Sequence, residues 1–86
     1  MSQDFEKEEV ITQVLDTVSE LLNVERDEIS LTSSLADDLF ADELDSTEIV
    51  MELEDYFEII IPDEEVEKWT TVQDIVDSVI RLLNLR

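Results

Sequence analysis

The chain contains no cysteine, no histidine and no glycine, and it has a single proline among its 86 residues. Without Cys or His it can form no disulfide, no thiolate nucleophile, no imidazole base and no zinc site built on these ligands. Without Gly it cannot carry a P-loop, a dinucleotide-binding turn or a usual EF-hand loop. No apolar run approaches the roughly 20 residues that span a bilayer, so we expect no membrane insertion. We therefore expect a protein that is not an enzyme.

Basic residues are also scarce, with five Lys and Arg against 25 Asp and Glu, which gives a formal net charge of −20. A field of this sign repels nucleic acid and anionic membranes and speeds encounter with basic protein surfaces. We expect a cytoplasmic monomer whose partners are basic-surfaced proteins and do not include nucleic acid. Two alternatives are that the charge serves solubility alone, or that the chain is an acidic decoy for a nucleic-acid-binding surface.

The apolar residues make up 43% of the chain and recur at helical spacing, so the chain should fold despite its charge. The pattern predicts one domain over residues 1–86 with helices at about 5–22, 42–57, 63–69 and 71–83. A long loop joins the first two helices, and the third helix is short. The predicted fold is an all-α four-helix bundle.

Local signals refine these boundaries. Asp42 is placed to cap the second helix, Asp63 the third, and Thr70 with Gln73 the fourth as a capping box. The long loop carries apolar residues that we expect to anchor it against the core, namely Ile29, Leu31, Leu35, Leu39 and Phe40.

The second helix presents two different apolar faces. Ile49, Val50, Leu53 and Phe57 share one arc of a helical wheel and form the predicted core face. A separate stripe lies outside that arc, bordered by carboxylates, as in a helix that docks on another protein. The partner-binding residues that this pattern predicts are Glu43, Leu44, Thr47, Glu48, Met51 and Glu52.

The stretch DLFADELDSTEIVMELEDYF, followed by IIIPDEEVEKWTTV, resembles the bacterial acyl carrier protein family without a gap from Leu39 to Val72. The resemblance implies an acyl-carrier-like four-helix bundle. Carriers of this family bear a 4'-phosphopantetheine on the serine of a DSL motif, and Glu43 stands at that position here. The resemblance thus implies an acidic docking module for enzymes of fatty acid or polyketide type metabolism, without phosphopantetheine and without another cofactor.

Ser46 offers an alternative attachment site, because it also follows an aspartate, three residues after Glu43. If Ser46 carried 4'-phosphopantetheine, the chain would be a working acyl carrier. The gapless match places Ser46 at a position that the family does not modify. The wheel also puts it between Leu53 and Phe57, so we expect its side chain to point into the bundle.

The chain departs from the family at two further positions, Phe40 and Trp69, and it has a cluster of acids before and within the start of the second helix. Phe40 stands where the family usually has Gly, and Trp69 stands where it usually has Ile, beside the space that receives the acyl chain in the family. The large ring of Trp69 could fill part of that space, or could be ordinary core. The acids between the loop and the second helix could bind a cation, but we expect no metal site and a solvated face instead; they are Asp37, Asp38, Asp42, Glu43 and Asp45.

Overall fold

A computed structural model describes residues 5–85, which contain four α-helices. They are α1 (Lys7–Leu22), α2 (Glu43–Phe57), α3 (Asp63–Val66) and α4 (Val72–Leu83). The all-α prediction with a long first loop and a short third helix is confirmed. The third helix is shorter than predicted, ending at Val66 instead of residue 69, and the loop between α1 and α2 holds an unpredicted 3₁₀ turn, Arg26–Glu28.

The core lies where α1 packs against both α2 and α4. Its most deeply buried side chains are aliphatic and come from all three helices. One aromatic residue, Phe57 at the end of α2, is also fully buried and lies edge-on to Phe5, with ring centroids 4.8 Å apart. The buried set is Val10, Val14, Leu15, Val18, Ile29, Leu35, Leu39, Ile49, Leu53, Phe57, Ile61, Val72, Ile75, Val76 and Val79.

The long loop is fixed by backbone hydrogen bonds to the start of α4. The amide of Leu35 donates to the carbonyl of Thr70 at 2.9 Å, and the amide of Val72 donates to the carbonyl of Ser33 at 3.1 Å. Of the five predicted loop anchors, Ile29, Leu35 and Leu39 are buried and Leu31 is half-buried. The fifth, Phe40, is exposed, so that prediction is wrong for Phe40.

The helix caps agree with the sequence at α2 and differ at α3 and α4. Asp42 caps α2 as predicted, in a capping box with Asp45. The cap of α4 is Thr71 with Asp74, one residue beyond the predicted Thr70 and Gln73. The third helix starts at Asp63 after Pro62, without a side-chain cap, so the prediction that Asp63 caps it is also wrong. Within residues 5–85, no helix has the length and apolar character needed to cross a membrane.

Candidate functional site

Helix α2 buries one face and leaves an apolar stripe on another. Leu53 and Phe57 are buried against the core, whereas the side chains of Leu44 and Met51 are 75% and 63% exposed. Thr47 is exposed between them, and its hydroxyl donates to the carbonyl of Glu43 at 3.0 Å. Exposed large apolar side chains on an otherwise polar helix surface are what a protein-binding face presents.

Carboxylates border this stripe. Glu43, Glu48 and Glu52 are all exposed. The two ion pairs found among residues 5–85 lie elsewhere, between Arg26 and Asp16 and between Arg81 and Glu65. The negative charge of this face is therefore not neutralised by cations of the described chain. We call these side chains the outer face of α2: Glu43, Leu44, Thr47, Glu48, Met51 and Glu52.

Glu43 is the first residue of α2, directly after the capping residue Asp42. The amide of Asp45 donates to Asp42 Oδ1 at 2.9 Å, and the amide of Asp42 donates to Asp45 Oδ2 at 3.1 Å. These reciprocal bonds fix the helix start and leave Glu43 outside the capping box. Its carboxylate lies at the positive end of the helix dipole, which favours a negative charge.

An open cleft of about 720 Å³ separates the start of α2 from α3. Ser46 lies half-buried on its wall, one turn of α2 after Glu43, and is not part of the buried core. The prediction that Ser46 points into the bundle therefore needs correction. The short α3 covers this end of α2 incompletely, so Ser46 faces the cleft. The residues that line the cleft are Ala41, Asp42, Glu43, Ser46, Thr47, Asp63, Val66 and Glu67.

Trp69 lies half-buried against the core between α3 and α4. Its Nε1 donates to Ser78 Oγ at 2.9 Å, and the hydroxyl of Ser78 donates to Glu65 Oε1 at 2.8 Å. The hydrogen bond from Ser78 and the neighbouring Arg81 guanidinium hold the pKa of Glu65 below its ordinary value. Trp69 does not line the α2–α3 cleft. These hydrogen bonds join the segment around α3 to α4. Whether the Trp69 ring fills the space that receives the acyl chain in the family stays a prediction.

The acidic residues around the start of α2 form separate local contacts. Asp38 Oδ2 accepts from the amide of Ser34 at 2.7 Å, while Asp42 and Asp45 bond each other's backbone. Across the part of the chain that the structure describes, no group of three or more acids is placed to hold a metal ion.

Phe40 is a second residue of this region, after Ser46, whose placement the sequence pattern missed. Its side chain is 81% exposed, and its backbone has a φ of 57°. A left-handed backbone is unusual for an aromatic residue and is the conformation that Gly adopts most readily. The presence of Phe where the resembling family has Gly was the signal that could have indicated this conformation.

Comparisons with known proteins agree on one family. A family model described as a phosphopantetheine attachment site matches residues 12–79. An acyl carrier protein of Rubrobacter xylanophilus is 41% identical over 75 residues, which cover 87% of this chain and 93% of that protein. The solution structure of the apo doublet acyl carrier protein from prodigiosin biosynthesis superimposes with a TM-score of 0.73 at 30% identity. That match covers 86% of this chain, which spans 36% of the length of the doublet.

Proposed function

The chain belongs to the acyl carrier protein family, whose members are carriers and not enzymes, and we propose that it acts as an unmodified, acidic docking module. Its partners are basic-surfaced enzymes of acyl-chain metabolism, of fatty acid or polyketide type. The exposed apolar and acidic outer face of α2 is the observation that supports this proposal most strongly. We further propose that the protein is a monomer in the cytoplasm, since its charge of −20 opposes self-association.

The absence of a prosthetic group follows from the side chain at position 43. A phosphopantetheine arm is joined to a serine hydroxyl through a phosphodiester, and Glu43 provides a carboxylate in place of that hydroxyl. A carboxylate and a phosphate would form a mixed anhydride, which water hydrolyses readily. The exposed position of Glu43 would give water free access to such a bond.

The outer face of α2 suits a partner with basic residues around an apolar depression. Leu44 and Met51 would contribute contact area, because truncating exposed apolar residues that become buried in an interface reduces affinity. Glu48 and Glu52 would speed encounter and set orientation, because long-range attraction acts on association rates more than on final affinity. None of these residues is needed for the core, so all are available for contact.

A working carrier modified at Ser46 is the second candidate function, and the position of Ser46 on the cleft wall favours it more than the sequence pattern did. Against it, Ser46 is half-buried on α2 and faces a cleft that is also lined by Asp63 of α3 and by Glu67, which follows α3. A transferase would have to reach the hydroxyl inside a cleft lined by carboxylates. We therefore expect no modification of Ser46.

The docking proposal is tested with the variant E43S, coenzyme A and a broad-specificity phosphopantetheinyl transferase. We expect E43S to gain one phosphopantetheine at residue 43, because the surrounding recognition surface is intact. Adding E48K should lower kcat/KM for modification by about tenfold, since it places a cation on the face that meets a basic enzyme.

A matched control is E20K, which reverses an exposed charge on α1 and leaves the outer face of α2 unchanged. It should change kcat/KM by less than about twofold, because Glu20 lies on a different helix from the outer face and salt screens exposed charges. If folded E43S stays unmodified, or if E48K and E20K act equally, the outer face of α2 is not a docking surface and the proposal fails.

A further inference from the structure

Phe40 differs from the other residues with left-handed backbone in the described chain. Four residues between positions 5 and 85 have positive φ, and three of them are the C-caps of α1, α2 and α4. A left-handed residue at a C-cap is a common way to end a helix. Phe40 does not end one of the four α-helices, since it stands two residues before the cap Asp42 and three before Glu43, the first residue of α2. Its conformation therefore has another cause.

The surrounding loop forces the backbone of Phe40 into this region. The amide of Leu39 donates to the carbonyl of Ser34 at 3.1 Å, and the amide of Ala41 donates to the carbonyl of Leu35 at 2.8 Å. The side chain of Leu39 is buried, so the chain on the N-terminal side of Phe40 is anchored in the core. The turn between this anchor and α2 requires positive φ at position 40, where Gly would fit without strain.

The ring of Phe40 contributes almost nothing to the stability of the fold. It is 81% exposed, and burial is the means by which an aromatic side chain stabilises a fold. A bulky residue in the left-handed region destabilises the folded state relative to Gly. Both effects indicate that the Phe40 ring does not stabilise the fold, which leaves it available for binding.

Acidic side chains surround Phe40 in the sequence and are exposed on both sides of it. Asp37 and Asp38 precede it, and Asp42 and Glu43 follow it. An aromatic anchor among charged groups matches the organisation of binding hot spots, in which a central apolar contact is surrounded by a polar rim.

We infer that Phe40 is a specificity-determining residue for docking, whose ring inserts into an apolar pocket rimmed by Lys and Arg on a partner protein. This inference rests on the proposed docking function of α2 and extends its surface to the loop before the helix. The net charge of −20 disfavours three other binding partners for the exposed ring, namely an anionic membrane, a nucleic acid and a second copy of this chain. A basic protein is the partner whose charge complements the acidic residues around Phe40.

The test compares F40G, F40A and I60A. F40G removes both ring and strain, whereas F40A removes the ring and keeps a left-handed non-Gly residue. I60A is the matched control, because Ile60 is 82% exposed and lies in the segment after α2, away from the proposed rim. The probes are carrier-dependent ketosynthase, acyltransferase and thioesterase enzymes encoded in the same genome, purified and titrated separately by calorimetry.

We expect F40G and F40A to weaken binding to the interacting enzyme by about tenfold or more, and I60A by less than twofold. F40G alone should raise Tm by several degrees. Loss of affinity together with a gain in Tm would assign the ring to binding instead of folding. If E48K weakens binding while F40G and F40A behave like I60A, the inference about Phe40 is wrong and the docking function stands. If no enzyme binds any variant, both proposals are wrong.

Discussion

Leu53 and Leu44 are both leucines of helix α2, yet Leu53 is fully buried and Leu44 is 75% exposed. Leu53 belongs to the face of α2 that packs in the core with α1 and α4, where side chains are selected for volume and shape. Leu44 belongs to the outer face, where an apolar residue adds little to stability. The difference indicates that the inner face maintains the fold and that the outer face is available for partners.

The largest expected effect comes from making the same substitution on the two faces. L53A removes a fully buried side chain and leaves a cavity, so we expect a loss of about 2 to 5 kcal/mol in the free energy of unfolding. L44A should change it by less than about 0.5 kcal/mol, as for most surface substitutions. Urea denaturation followed by circular dichroism measures both. Equal losses would show that Leu44 is part of the core and would remove the distinction between the faces.

Two serines extend this comparison to polar side chains. Ser78 is buried and links Trp69 to Glu65, whereas the hydroxyl of Ser46 faces the cleft and makes no hydrogen bond within residues 5–85. S78A leaves the indole N–H of Trp69 without its partner and removes the hydrogen bond from Ser78 to Glu65, whose ion pair with Arg81 remains, so it should cost about 1 to 3 kcal/mol.

S46A, the matched substitution, should cost less than about 0.5 kcal/mol. The sole tryptophan provides a second readout, because S78A should alter its fluorescence emission while S46A should not. An unchanged emission spectrum in S78A would mean that the Trp69 to Ser78 bond does not form in solution.

The smallest effect concerns the acid that fixes the start of α4. The amides of Thr71 and Thr70 donate to Asp74 and hold the pKa of its carboxyl below the ordinary value. This contribution is therefore fully present above about pH 4 and is lost as the pH falls through the lower, folded-state pKa. D74A should cost about 1 kcal/mol at pH 7.

The difference in stability between D74A and the natural chain should shrink below about pH 4, and this difference is the quantity to measure. The absolute stability of both proteins also changes at low pH, since protonation relieves repulsion among the many acids. The control is D63A, which removes an exposed acid on the wall of the open cleft and should show no comparable loss. A stability gap that does not depend on pH would contradict the assigned role of Asp74.

The sequence predicted the helices well because helical periodicity reports burial directly. Val10, Val14 and Val18 of α1 recur at one spacing and are all fully buried. The cap of α4 was misplaced by one residue because Thr70 and Thr71 are adjacent and each is followed at the right distance by a polar acceptor, Gln73 or Asp74. The carboxylate of Asp74 accepts from both threonine amides, which decides the register.

The region around the start of α2 was predicted less well, for two physical reasons. A helical wheel gives the direction of Ser46 but not what lies opposite it, and the single turn of α3 leaves that side open. Phe40 was assigned to the core from its hydrophobicity alone, whereas its exposure follows from backbone hydrogen bonds on both sides. Neither the extent of a neighbouring helix nor a left-handed turn is encoded in apolar spacing.

We propose that this member of a carrier family docks on its partners without carrying a prosthetic group. The most direct measurement is the intact mass of the natural chain after incubation with coenzyme A and the same broad-specificity transferase, with E43S as the positive control. We expect no change in mass for the natural chain and a gain of one phosphopantetheine for E43S. A gain in the natural chain that maps to Ser46 would contradict this account and would make the protein a working carrier.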